Sequence, residues 1–168
     1  MKKLLYTTSI FFSLLLITSC GIYSFTGGDT GNAKTIQVDF FRNNAPLVEP
    51  SLSQKFTQSL QDLFTRQTNL TSVKSNGDLR FEGEITGYRI SPMSATAQQT
   101  AAQNRLTVTV NVRYFNKLIE KDNFEKAFSF YYDFPAEKQL IGGLLDTALN
   151  KILERITQDI FNASVAKW

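Results

Sequence analysis

Cys20 is the only cysteine in a chain of 168 residues that contains no histidine, so it is the one thiol available for covalent chemistry. A single thiol cannot close an internal disulfide, and its position suggests another use. Lys2 and Lys3 lead into an apolar run from Ile10 to Ile17, which ends in the small residues Thr18 and Ser19 directly before Cys20. A positive start, a short apolar stretch and small residues at its end form the layout of a secretory signal peptide. A membrane-spanning helix needs about 20 predominantly apolar residues, and Thr7, Thr8, Ser9 and Ser13 shorten the apolar part further. Residues 1–19 are therefore expected to be removed.

The tetrad Ile17-Thr18-Ser19-Cys20 resembles the lipobox of bacterial lipoproteins. That resemblance implies a thiol carrying diacylglycerol and a freed Cys20 amine carrying a further acyl chain. One chain anchors a protein only marginally, whereas two or more make the attachment stable. Cys20 is the expected lipidation site.

The remaining chemistry is narrow. Without histidine, and with its one thiol acylated, the chain offers no Ser-His-Asp triad, Cys-His pair or His-containing zinc site. No Gly-rich run ends in Lys-Ser/Thr and no His-Glu-x-x-His occurs; Gly27-Gly28 and Gly142-Gly143 are isolated pairs. Glu82 and Glu84 are the carboxylate pair that glycosidic chemistry would need, yet acids alternating along one strand also describe a solvated face. The reading taken is a protein that is not an enzyme and has neither a metal nor a cofactor. Losing Lys2 and Lys3 reduces the 18 basic residues to 16 against 15 acidic ones, so no broad nucleic-acid surface is expected.

The elements that would position these groups follow from periodicity. Residues 20–33, rich in Gly, Ser, Thr, Asp and Asn, read as a lipidated tether before a single domain over 34–168. In "TIQVDFF", Ile36, Val38 and Phe40 alternate as in a half-buried strand. Ser51 with Gln54 fits a capping box, opening a helix whose apolar face is Leu52, Phe56, Leu60, Leu63 and Phe64. After the turn signal Asn76-Gly77-Asp78, a strand sets Leu79, Phe81, Gly83, Ile85 and Gly87 on one face and Arg80, Glu82, Glu84 and Thr86 on the other. The two glycines mark a close approach or a bulge. "NRLTVTVNVRYF" and "NFEKAFSFYYDF" are two further alternating strands. The chain closes with a helix carrying Ile141, Leu145, Leu149, Ile152, Leu153, Ile156 and Ile160 on one stripe, firm from Leu144 because Gly142-Gly143 weakens its start. The predicted fold is α+β: a two-layer sandwich in the order β-α-β-β-β-α, with both helices on one face of a mostly antiparallel four-stranded sheet.

Arg89 and Arg105 flank the polar loop 91–104, so a hairpin brings both to one end of the sheet, where an arginine fork can hold a phosphate; solvated hairpin-end charges are the plainer reading. Arg113 and Lys117 lie toward the other end. The loop suits either threading against a partner or simple mobility. Asp146-Thr147-Ala148 matches a bacterial O-glycosylation pattern but falls inside the last helix, which favours coincidence.

"CGIYSF", "APLVEPSLSQKFTQSLQDLFTRQTNL", "SNGDLRFEGEITGY" and "DIFNASVAKW" together resemble the LptE family of lipopolysaccharide-assembly lipoproteins in its Bacteroidetes form. The resemblance implies an outer-membrane lipoprotein that plugs the β-barrel translocon LptD, helps it fold and binds lipopolysaccharide in transit; it assigns no ligand residues here, and Arg89 and Arg105 are candidate phosphate contacts by their place at the hairpin end alone. It also implies the periplasmic leaflet: Gly21, not Asp, follows Cys20, and no acidic residue precedes Asp29. A lipid-anchored adaptor or pilotin-like chaperone for another outer-membrane machine remains open from the sequence.

Cys20→Ser is expected to abolish incorporation of a palmitate analogue and to release the protein into the soluble periplasmic fraction. Labelling and fractionation check this, and a variant that stays labelled would show that the lipid is attached elsewhere.

Overall fold

The computed structural model describes residues 28–93 and 102–166. The expected signal peptide, Cys20, the first part of the tether and most of the 91–104 loop lie outside the described residues. The chain forms strands β1 (Thr35–Val38) and β2 (Arg42–Asn43), helix α1 (Leu52–Gln67), and strands β3 (Thr71–Ser72), β4 (Leu79–Met93) and β5 (Gln103–Asn116). A 3-10 turn (Glu120–Asp122), strand β6 (Phe124–Pro135) and helix α2 (Gly142–Ser164) follow. The strands make one mixed six-stranded sheet in the order β3-β1-β4-β5-β6, with β2 also on β4.

The two-layer α+β arrangement agrees with the sequence reading, but the sheet has six strands rather than four. β4, β5 and β6 form the expected antiparallel meander. β1 pairs with β4 in parallel, as a strand-helix-strand crossover through α1 dictates. The two extra strands, β2 and β3, are only two residues long, too short for periodicity to register.

Alternation along each long strand gives the sheet an apolar inner face. Phe81, Ile85, Leu106, Val108, Val110 and Val112 are each fully buried. α1 contacts β1, β2 and β3, while α2 contacts β5, β6 and α1, so the two helices share that face. The predicted α1 stripe, from Leu52 to Phe64, is buried throughout. In α2 the stripe is buried from Leu149 onward, whereas Ile141, the residue before the helix, is 66% exposed. The helix also begins at Gly142 rather than near Leu144.

Phe64 joins the layers. Its ring lies 4.8 Å from Phe81 on β4 and 5.1 Å from Phe161 on α2. Phe81 then meets Tyr114 at 4.8 Å, and Tyr114 meets Phe124 at 5.2 Å. A chain of rings thus runs from α2 through α1 and across three strands. Burial within it pushes the Tyr114 phenol up to about 12.

Local details depart from the simple pattern in three places. At Asp39-Phe40 the β1 alternation breaks: Phe40 is 60% exposed and Phe41 is fully buried against Phe56. The capping box does not form, because the Ser51 hydroxyl donates to Glu49 rather than accepting from the helix. In β4 a bulge between Ile85 and Gly87 shifts the register, so Tyr88 turns inward and Gly87 moves to the outer face against Thr109.

Gly83 is the close approach expected of one of the two β4 glycines: a Cβ there would lie 2.0 Å from the Asn111 carbonyl oxygen and 2.7 Å from Phe41 Cε1. Phe41 is held in turn by its N–H donating to Thr57 Oγ1 on α1, 3.1 Å away. Just before β4, Asp78 Oδ2 accepts from the Lys34 and Thr35 N–H groups at 2.9 and 3.0 Å. The Lys34 hydrogen bond leads in holding its carboxyl below the ordinary carboxylate value.

Phe64→Ala is expected to lower unfolding stability by about 3–5 kcal/mol, because it removes a ring shared by three elements. Chemical denaturation measures the loss, and a cost below about 1 kcal/mol would show that the helices do not depend on this contact.

Candidate functional site

With the inner face committed to the core, the outer face of the sheet and its open margins are what the molecule presents. Along β4, β5 and β6, the same alternation that buries the apolar residues lines up Glu82 and Glu84; Arg105, Thr107, Thr109, Asn111 and Arg113; and Glu125, Ser129, Tyr131 and Asp133. Register then decides which charges meet. Glu82 stands opposite Arg113, and Arg113 stands opposite Glu125.

These residues form a connected ladder. Arg113 Nε donates to Glu82 Oε1 at 3.0 Å, and its Nη atoms reach Glu84 Oε2 at 3.3 Å. Glu125 Oε1 lies 3.9 Å from Arg113 Nη1 and accepts from Asn111 Nδ2 at 2.8 Å. Glu82 also pairs with Arg80, which donates through Nε and Nη2 to Asp39 Oδ2 at 2.9 and 2.8 Å. Hydrogen bonding to Asp39 raises the Arg80 guanidinium, and hydrogen bonding to Glu82 raises that of Arg113. Glu82 and Glu84, the carboxylates that a hydrolase would need free, are therefore both spent on arginine.

The sequence pairs Arg89 with Arg105 as a phosphate clamp. The structure does bring both to the hairpin end of the outer face, Arg89 opposite Thr107 and Arg105 opposite Ser91. The Arg105 fork is already closed, however: Nε donates to Asp133 Oδ1 at 2.7 Å and Nη2 to Oδ2 at 2.8 Å. Its guanidinium carbon also lies 3.5 Å from the Tyr131 ring centre. A bidentate fork stacked on an aromatic ring is a strong local arrangement, and the Asp133 hydrogen bond raises the Arg105 guanidinium further.

Arg89 is exposed and has no hydrogen bond, ion pair or ring contact among the described residues. It borders an open groove of about 540 Å³ lined also by Pro46, Leu47, Gly87, Tyr88 and Thr109. Gly87 helps to open this dent because it brings no side chain. Of the weaker candidates, Arg113 sits in the ladder and Lys117 Nζ donates to Asn76 Oδ1 at 2.6 Å. Asp146 pairs with Lys55 at 2.5 Å and Thr147 donates to the Gly143 carbonyl within α2. Among the described residues, no cluster of three or more acids is placed to hold a metal ion, and no helix is long and apolar enough to cross a membrane.

The pairings that sequence reasoning missed left a signal. Arg105 and Arg113 are eight residues apart, as are Glu125 and Asp133. One antiparallel register therefore sets both arginines opposite acids at once.

The chain matches a family model described as lipopolysaccharide-assembly, LptE, over residues 33–164. Its fold is similar to that of the hypothetical protein CT253 from Chlamydia trachomatis, at TM-score 0.55 and 8% identity, over 80% of this chain and 99% of that one. It is also similar to protein XCC0632 from Xanthomonas campestris, at TM-score 0.52 and 10% identity, over 83% and 87% of the two chains. At these identities the likeness is one of fold alone. No curated protein sequence matches the chain.

Arg113→Met is expected to destabilise the protein by about 1–2 kcal/mol at neutral pH, since it leaves three carboxylates facing one another. The deficit should shrink in high salt, which screens their repulsion. Denaturation of both proteins at low and high salt checks this, and a deficit independent of salt would show that the ladder is not electrostatic.

Proposed function

Because this chain belongs to the LptE family, a non-enzymatic accessory family of lipopolysaccharide assembly that uses no cofactor, we propose that it is the lipid-anchored plug of an LptD-like β-barrel. In this reading, Cys20 carries the lipid in the periplasmic leaflet of the outer membrane. A tether leads from it to the body, which seats in the barrel lumen, supports barrel folding and contacts lipopolysaccharide on its way outward.

The observation that carries the proposal beyond the family is the ladder on the outer face. A lumen plug needs a rigid surface that is polar without presenting a row of unsatisfied charges to a polar wall. Here Arg80, Arg105 and Arg113 are paired within the sheet, so the face can be covered without stranding them. Buried or half-buried charges are costly chiefly when left unpaired.

Lipopolysaccharide phosphates are proposed to meet the hairpin end, where the Arg89 guanidinium has no partner among the described residues. Arg105 contributes there only by exchanging Asp133 for a phosphate. The two arginines are therefore unequal: Arg89 leads and Arg105 shapes the surface beside it.

Conditional depletion of the protein in its native cell should lower both surface lipopolysaccharide and the amount of folded barrel. Complementation with Arg89→Ala should restore the barrel but reduce lipopolysaccharide recovered with the protein. Normal surface lipopolysaccharide after depletion would contradict the assembly role, and unchanged recovery with Arg89→Ala would contradict the phosphate contact.

A further inference from the structure

β4 has a backbone edge that no other described strand covers along its last part. β1 covers it at Leu79–Phe81 and β2 at Glu84–Ile85, and one further bond, from the Asn44 N–H to the Ile85 carbonyl at 2.9 Å, ends the contact. From Gly87 to Met93 the strand pairs with β5 on one side only among the described residues. Half of the backbone groups along about 20 Å of strand therefore point outward, except that Pro92 has no N–H to offer. Natural folds normally shield such an edge, because it is a template for another strand.

The surroundings are also unusual. Beyond β2 the chain turns away through Pro46, and its next two residues are apolar and open, Leu47 at 53% and Val48 at 59% exposure. Ile90 belongs to the inner alternation of β4, yet it is 42% exposed at this margin. Leu47 and Ile90 border the groove beside Arg89. An apolar rim around a free ladder is the chemistry of strand addition, in which main-chain hydrogen bonds give affinity and alternate side chains fill the adjoining pocket.

We propose that the β4 edge from Gly87 to Met93 receives an extended polypeptide segment of the barrel partner, in line with β2, with an apolar side chain in the groove and no cation opposite Arg89. This rests on the plug reading above. The occupant follows from the chemistry on both sides of the edge. A lipid headgroup lacks the repeating donors and acceptors that the ladder calls for. A second copy of the chain pairing edge to edge about this stretch would bring its own Arg89 onto a neighbouring rung of the same face, where like charges repel. A neutral or acidic segment of another protein meets both conditions.

The test uses the full lipidated protein purified with its barrel from the native membrane, compared by hydrogen exchange with the protein freed of the barrel. Amides within 87–93 should exchange at least about tenfold more slowly in the complex, as new main-chain bonds require. A photo-crosslinking side chain at Leu47 should join one defined segment of the barrel. If the barrel co-purifies but 87–93 gains no protection and crosslinks arise only from the outer face or the helices, the edge proposal is overturned and the plug reading stands. If no barrel co-purifies, both fall. Crosslinking at Leu47 only to a second copy or to lipid overturns the proposal as well.

Discussion

The structure depends on hiding one face of an aromatic and β-branched sheet beneath two helices. Neither helix can do this alone: α1 reaches the β1, β2 and β3 side and α2 the β5 and β6 side. Phe64 makes the two halves one core, because its ring touches both Phe81 on the sheet and Phe161 on the other helix. The same demand explains smaller features. Gly83 has no side chain because Phe41 and the Asn111 carbonyl occupy its space, and Asp78 holds the start of β1 where the crossover needs it. Packing and hydrogen bonding thus dictate the backbone over the first part of β4.

Once the inner face is committed, strand alternation leaves every second residue for the outside, and there the protein has chosen charges that satisfy one another. Arg113 ties three carboxylates and Arg105 is held between Asp133 and Tyr131. Such pairs add little stability each when exposed, so their main consequence is geometric: the outer face is stiff and nearly neutral. That suits a body to be enclosed by a polar wall. At its margin, among the described residues, Arg89, Leu47 and the stretch of β4 that pairs on one side only lie side by side.

Much of this was legible in the sequence, and the failures have physical causes. Long strands and both helices were visible because their periods of two and 3.6 persist over many residues. The parallel β1–β4 pairing was readable in principle from the strand-helix-strand order. β2 and β3 were not, since two residues carry no period. A bulge was one of the two meanings offered for the β4 glycines and it falls at Gly87, but the change of face that it causes was hidden because Gly87 has no side chain. Ser51 and Gln54 carried the right residues for a capping box, but the Ser51 hydroxyl turns to donate to Glu49 and accepts no N–H of the helix. At the candidate site, the sequence found Arg89 and Arg105 and their common end of the hairpin; it did not find that Asp133 closes the Arg105 fork, because that needs the register of a third strand.

The central claim is that this lipoprotein body works inside a single large β-barrel. Pull-down of the tagged, lipidated protein from its native outer membrane in mild detergent, with mass spectrometry of stoichiometric partners, tests it most directly. The account predicts one LptD-like barrel at a one-to-one ratio. Recovery of a different machine, such as a secretin, or of no stoichiometric partner would contradict it.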